Sequence, residues 1–222
     1  PLNLLGSSAH VHFQPFGVVG IIAPWNFPIS LSLGPLIEVF AAGNNAMMKL
    51  SEFVPITSKL LEELVNKYFT EDEIVVINGG VETSSNFTSL PFDHLLYTGS
   101  TAVAKKVCSA VAANLVPVTL ELGGKSPIVI GDKADMKKSA QQIMTGKTVN
   151  AGQICIAPDY TFISESKVDD FVNNAREFIQ KSFPTIKNNP DYTSIIHLNH
   201  YERLNSMVED ARNKGAEIIE LN

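Results

Sequence analysis

The sequence predicts an α/β protein: a parallel sheet with helices on both faces, followed by part of a second α/β domain. Two observations carry this. From Phe16 onward, short apolar runs alternate with amphipathic segments of helical period. Strand–helix alternation of that kind builds a parallel sheet sheathed on both sides. A second alternation starts after Gly123 and Gly124. Hydrophobic residues make up 45% of the 222 residues and charged ones 18%, enough apolar material for the core such a sheet requires.

Taken in order, "VVGIIAP" (residues 18–24) reads as a buried strand. "LSLGPLIEVFAAG" (31–43) reads as a helix closing near Gly43, and "NAMMKL" (45–50) as the second strand. "VPITSKLLEELVNKYF" (54–69) is a helix that tolerates Pro55 in its first turn. "EIVVIN" (73–78) is a third strand ending at Gly79 and Gly80. "FDHLLYTGS" (92–100) supplies a fourth strand running into a helix from Ser100, and "VPVTLEL" (116–122) a fifth. Beyond Gly124, "SPIVIG" and "DYTFIS" read as strands and residues 135–152, 167–183 and 200–215 as mostly helical. Gly215 stops the last helix, and "AEIIEL" (216–221) is expected as a final strand. The boundary is placed near Gly124, giving domains 1–124 and 125–222. The chain opens on Pro1 with no Met and closes on a strand-like run, so it is expected to be a piece of something longer, incomplete at both ends.

Composition excludes several functions. A formal net charge of -6 offers no electrostatic footprint for nucleic acid or an anionic membrane. The apolar runs are too short to span a bilayer and are broken by proline. No secretory leader is visible. Cys108 and Cys155 are too few for a disulfide framework and suit a reducing compartment. The expected location is cytoplasmic.

In open parallel sheets, ligands sit at the carboxyl ends of the strands, so the residues just after each strand decide the chemistry. Cys108 lies in an ordinary helical pattern and reads as an inert thiol. Cys155 lies where a helix pattern has ended and a strand has not begun. No His stands among its nearest sequence neighbours, so it needs another source of activation, such as backbone donors or a cationic cofactor. Glu121 ends a strand before two glycines that permit close approach of another segment; a solvated strand-end carboxylate is an equal reading. Asn26, between Pro24 and Pro28, has an amide able to donate to an oxyanion, although a turn asparagine is the commoner reading of that position alone. Lys49 and Glu52 follow the second strand, where an acidic residue commonly holds a ribose hydroxyl; an exposed charge pair is the alternative. Ser100 opens a helix, as a helix cap, a phosphate donor or both. The fingerprint G-x-G-x-x-G is absent after the first strand.

"PWNFP", "KLSE", "YTGS", "ELGGK" and "GQIC" occur in this order, each at a strand or helix end. Together they resemble the signature stretches of the aldehyde dehydrogenase superfamily, over nearly the whole chain. "NAGQICIAPDY", "PFDHLLYTGSTAVAKKV" and "GGVETS" are most similar to its class 3 and coniferyl-aldehyde branch.

The resemblance implies a Rossmann-like dinucleotide-binding domain over 1–124 and a catalytic domain over 125–222. It implies NAD(P)-dependent oxidation of an aldehyde to a carboxylic acid through a thiohemiacetal and a thioester. Cys155 is then the nucleophile, Glu121 the general base and Asn26 an oxyanion donor. Trp25, Lys49, Ser51, Glu52, Gly99, Ser100, Leu122 and Gly123 form the cofactor set, with Lys49 and Glu52 at the adenosine ribose and Gly99 and Ser100 by the pyrophosphate. The implied cofactor is NAD, with NADP admissible, and no metal. The substrate is a small-molecule aldehyde, aromatic or aliphatic, and a full-length parent would be a homo-oligomer. Two positions depart from the family pattern: Leu50 stands where Pro is usual, and Ala104 where this branch often has Gly. The rival reading is a truncated, catalytically inactive nucleotide-binding relative.

Overall fold

The computed structural model describes residue 6 and residues 8–221. The outermost limits of the expected domains, residues 1 and 222, lie outside the described residues. The chain divides into two units, Pro1–Leu122 and Gly123–Asn222.

The first unit holds β1 (Val18–Ile22), β2 (Asn45–Lys49), β3 (Ile74–Ile77), β4 (His94–Gly99) and β5 (Val118–Leu122). They form one sheet in the order β3-β2-β1-β4-β5, and every neighbouring pair is parallel. The period-2 alternation of strand side chains divides the core between the two faces. Ile21, Met48 and Val76 point to one face and Ile22, Leu95 and Tyr97 to the other. Helices α1 (Ser30–Ala41) and α2 (Pro55–Tyr68) cover the first face through Leu36, Leu61 and Val65. Helices α3 (Val81–Thr88) and α4 (Thr101–Val111) cover the second through Phe87, Ala104, Val107 and Val111. Ala104 is 2% exposed, so its methyl group is absorbed by the core.

Local chemistry sets the helix ends. Pro55 occupies the first turn of α2, where its missing N–H costs nothing. The Ser100 side chain accepts the Val103 N–H at 3.3 Å and caps α4. Gly43, at φ +80°, turns the chain out of α1 toward β2. Helix α3 leaves little mark in the sequence pattern: "VETSSNFT" lacks strong helix formers, and its buried residues are Phe87 and Thr88. The Phe87 ring packs 4.9 Å from that of Phe92, so tertiary packing holds this short helix.

In the second unit, β6 (Ser126–Val129) and β7 (Pro158–Phe162) pair in parallel. Helices α5 (Met136–Thr148) and α6 (Val168–Ser182) pack together, burying Met136, Ala140, Ala175 and Ile179. Asp135 caps α5 by accepting the Lys138 N–H at 3.0 Å. Helix α7 (Leu198–Asn213) ends at Gly215, φ +86°. The strand expected over 216–221 is not formed; these residues are irregular. A strand requires a neighbour to complete its backbone hydrogen bonds, and no described strand pairs with this run.

Gly20 of β1 marks the tightest approach in the first core. A Cβ there would lie 2.5 Å from the Leu95 Cδ1 and 2.9 Å from the Phe92 ring. Gly20→Ala is expected to destabilise the protein by about 1–3 kcal/mol, read as a lower denaturant midpoint at an unchanged m-value. An unchanged midpoint would show that this face of the sheet is loosely packed.

Candidate active site

Because all five strands of the first unit run in parallel, their carboxyl ends share one edge. β1 and β4 are neighbours, and the connections that follow them run in opposite directions, from β1 to β2 and from β4 to β5. Such a reversal opens a crevice at the carboxyl ends of the two diverging strands.

Trp25 and Asn26 follow β1 and are half-buried. Their turn is tied to α1: Leu31 N–H donates to the Phe27 carbonyl at 3.0 Å, and the Ser32 hydroxyl to the Pro28 carbonyl at 2.6 Å. Lys49 ends β2 and is 2% exposed. Its ammonium donates to the Glu52 carboxylate at 2.8 Å. Partial burial pushes the Glu52 carboxyl up, but the Lys49 hydrogen bond and charge more than offset this. The carboxyl therefore sits below its ordinary range. The pair is not the exposed one that the sequence also allowed, since one partner is buried. Leu50 donates its N–H to the Ile77 carbonyl at 3.2 Å, a bond a proline at this position could not make. Ser51 is buried, its hydroxyl accepting the Phe53 N–H at 3.3 Å and its carbonyl accepting the Ser58 hydroxyl at 3.0 Å.

At the end of β4, the Tyr97 hydroxyl donates to the Ser100 carbonyl at 3.3 Å. A Cβ on Gly99 would lie 2.3 Å from that hydroxyl, so glycine leaves room for the ring. Ser100 is exposed at the first turn of α4. On β5, Glu121 is exposed and sits in register with Thr98, while Leu122 is half-buried opposite Gly99. The edge therefore gathers Trp25, Asn26, Lys49, Ser51, Glu52, Gly99, Ser100, Glu121 and Leu122 within the first unit.

Cys155 and Gly123 belong to the second unit. Cys155 is exposed, at the second position of a turn closed by the Ala157 N–H to the Ile154 carbonyl, 3.2 Å. Ahead of it, Asn150, Ala151 and Gly152 are all left-handed, at φ +51°, +52° and +74°. For each residue carrying a Cβ this conformation costs about 1–2 kcal/mol. The turn is held by reciprocal bonds: Gln153 Nε2 donates to the Asn150 carbonyl at 2.9 Å, and Asn150 Nδ2 to the Gln153 carbonyl at 3.4 Å.

The close approach expected of the paired glycines falls on the second one. A Cβ on Gly124 would lie 2.7 Å from the Cys155 carbonyl oxygen, whereas one on Gly123 would meet open space. Gly124 and Gln153 are thus additions to the residues read from the sequence. The doubled glycine and the Gln two places before the thiol were their only marks. Cys108 is half-buried in α4. A groove of ≈ 330 Å³ between α5 and α6, lined by Lys137, Asn174, Glu177 and Phe178 among others, contains none of the candidate residues. Among the described residues no group of three or more His, Cys, Asp or Glu could hold a metal ion, and no helix is long and apolar enough to cross a membrane.

Residues 3–220 match the model of the aldehyde dehydrogenase family. A probable coniferyl aldehyde dehydrogenase of Caulobacter vibrioides is 54% identical over 100% of this chain and 46% of its own length. The coniferyl aldehyde dehydrogenase of Pseudomonas sp. strain HR199 is 53% identical over 98% of this chain and 45% of its own. Among solved structures, substrate-bound Staphylococcus aureus AldH superposes with a TM-score of 0.85 at 42% identity, covering 90% of this chain and 44% of that one. A Mycobacterium tuberculosis aldehyde dehydrogenase complexed with NAD+ superposes at 0.83 and 28% identity, covering 93% and 44%. The chain spans about half the length of the curated relatives it matches.

Removing the carboxylate from the Lys49–Glu52 pair leaves a buried ammonium without its countercharge. Glu52→Gln is expected to cost about 1–2 kcal/mol at neutral pH, less than a fully buried pair because Glu52 keeps about a third of its surface in water. Glu52 holds its charge to lower pH in the fold than in the unfolded chain, where its pKa is about 4.3. The stability gap between wild type and variant should therefore be full above that value and shrink as the pH falls through the folded pKa. Denaturant unfolding across this range checks it, and a gap that widens on acidification contradicts it.

Proposed function

The chain belongs to the aldehyde dehydrogenase family, and from that premise we propose that it carries the nucleophile and the cofactor edge of an enzyme oxidising an aldehyde to a carboxylic acid with NAD, NADP being admissible. The observation that carries the reading is the setting of Cys155: an exposed thiol presented by a strained turn, against whose carbonyl the Gly124 backbone packs. Glu121 is three residues before Gly124 along the chain, which caps their Cα separation at about 11 Å.

The groups at the sheet edge fit a dinucleotide. The first-turn N–H groups of α4 and the Ser100 hydroxyl suit a pyrophosphate. The Glu52 carboxylate can accept from ribose hydroxyls, and Lys49 orients it. That carboxylate also repels a 2′-phosphate, which favours NAD. When bound, the nicotinamide supplies the hydride acceptor.

The chain's own residues then act as follows. The Cys155 thiolate attacks the aldehyde carbon to give a thiohemiacetal. The Asn26 amide and the Cys155 N–H donate to the developing oxyanion, where loss of one donor typically costs about 3–4 kcal/mol of barrier. Once the carbon is oxidised to the thioester, Glu121 takes a proton from water, the hydroxide attacks, and the Cys155 thiolate leaves as the carboxylic acid forms. A bulky aromatic aldehyde such as coniferyl aldehyde is the first substrate to assay, from the relatives' names. A cytoplasmic location, suited to the free thiols Cys108 and Cys155, and assembly of a full-length parent as a homo-oligomer belong to the same proposal.

The test uses the full chain with coniferyl aldehyde and NAD, following reduced-cofactor absorbance. Cys155→Ala should abolish turnover. Glu121→Gln should still give one turnover and accumulate thioester, with steady-state turnover down by roughly 10²–10⁴-fold. Cofactor binding without any absorbance change in the wild type would favour an inactive nucleotide-binding relative, and an unchanged steady state in Glu121→Gln would remove Glu121 from the mechanism.

A further inference from the structure

We infer that Gln153 is a positioning residue for the nucleophile, bracing the Cys155 turn against a segment some forty residues downstream; the inference rests on Cys155 being the nucleophile. The carboxamide of Gln153 is held, among the described residues, by hydrogen bonds to three main-chain groups. Nε2 donates to the Asn150 carbonyl at 2.9 Å and to the Ser194 carbonyl at 3.1 Å. Oε1 accepts the Ile196 N–H at 3.0 Å. One side chain thereby closes the left-handed turn that precedes Cys155 and clamps that turn to the strip 194–196, just ahead of α7.

This brace answers a physical need. Asn150 and Ala151 are held in a conformation that a residue with a Cβ adopts only when its surroundings compel it. Residues 149–157 belong to no regular strand or α-helix, so no ladder of backbone bonds fixes Cys155. The carboxamide serves in its place because it presents a donor pair and an acceptor on one rigid plane. Two carbonyls face its nitrogen and one N–H faces its oxygen, a pattern that only one orientation of the amide satisfies. On the other side of the turn the Gly124 backbone meets the Cys155 carbonyl. A thiol gripped from two sides attacks from a set position, and misplacement by about 1 Å can cost on the order of 10²-fold in rate.

The chemistry of the brace supplies its own rescue. Gln153→Met keeps the length and loses all three bonds. Gln153→Glu, when ionised, keeps an acceptor for Ile196 N–H but turns an oxygen toward two carbonyls. When protonated, it regains a donor for one of them. With NAD and coniferyl aldehyde on the full chain, the first-turnover burst should fall roughly 10–100-fold in Gln153→Met and in Gln153→Glu near pH 8. The Gln153→Glu deficit relative to wild type should narrow toward about pH 5.5 as the carboxyl protonates. A purely structural role would lower the melting temperature without this pH-dependent recovery. Bursts within about threefold of wild type in both folded variants overturn the inference. Should either variant fail to fold, hydrogen exchange on the unsubstituted chain decides it: a protected Ile196 amide supports the brace, and exchange at the unstructured rate overturns it. A burst that survives in Cys155→Ala fails the nucleophile reading itself, and the inference with it, whereas a burst lost there but intact in both Gln153 variants fails the inference alone.

Discussion

The parallel pairing of β1 with both β2 and β4 is the constraint from which the first unit's candidate site follows. It brings the carboxyl ends of five strands to one edge and reverses the direction of connections between β1 and β4. The candidate residues on the strands, Lys49, Gly99, Glu121 and Leu122, then fall at the edge as a matter of register, and the others follow the strand ends. Lys49 pairs with Ile22 across β2 and β1, Tyr97 with Ile22 across β4 and β1, and Glu121 with Thr98 across β5 and β4. The apolar alternation that buries Ile21 on one face and Ile22 on the other holds these registers, because a one-residue slip would turn each core side chain to the wrong face.

The second unit solves a different problem. Its candidate nucleophile sits on irregular chain, where nothing periodic dictates position. Side-chain amides substitute for a ladder: Asn150 and Gln153 bond reciprocally across the left-handed turn, and Gln153 reaches on to Ser194 and Ile196. Strain of this sort persists only where neighbours over-determine it, and the Gly124 contact with the Cys155 carbonyl adds one more such neighbour.

The strand and helix pattern was legible in the sequence wherever an element was long and periodic. The strands β1 to β7, and the long helices, lie where the apolar runs and amphipathic segments pointed. Helix α3 left no comparable trace, because its polar residues carry weak propensity and the Phe87–Phe92 contact that holds it joins different elements. The run 216–221 erred the other way: its alternation suits a strand, but propensity without a pairing partner forms no ladder. At the candidate site, strand-end position and the ordered signature stretches pointed to Cys155, Glu121 and Asn26. The paired glycines announced a close approach without saying which of them makes it, and Gln153 stayed hidden, since its importance lies in contacts with residues forty positions away.

The sequence by itself determined which segments alternate, where each strand ends, which residues stand at those ends, and the family those residues resemble. These are properties of local period and of side-chain identity. Only the tertiary structure decided the strand order β3-β2-β1-β4-β5, the burial of the Lys49 ammonium against Glu52, and the left-handed approach to Cys155. Each of those depends on partners distant along the chain. Burial, register and backbone strain are set by what finally packs against a residue, which its immediate neighbours in sequence do not specify.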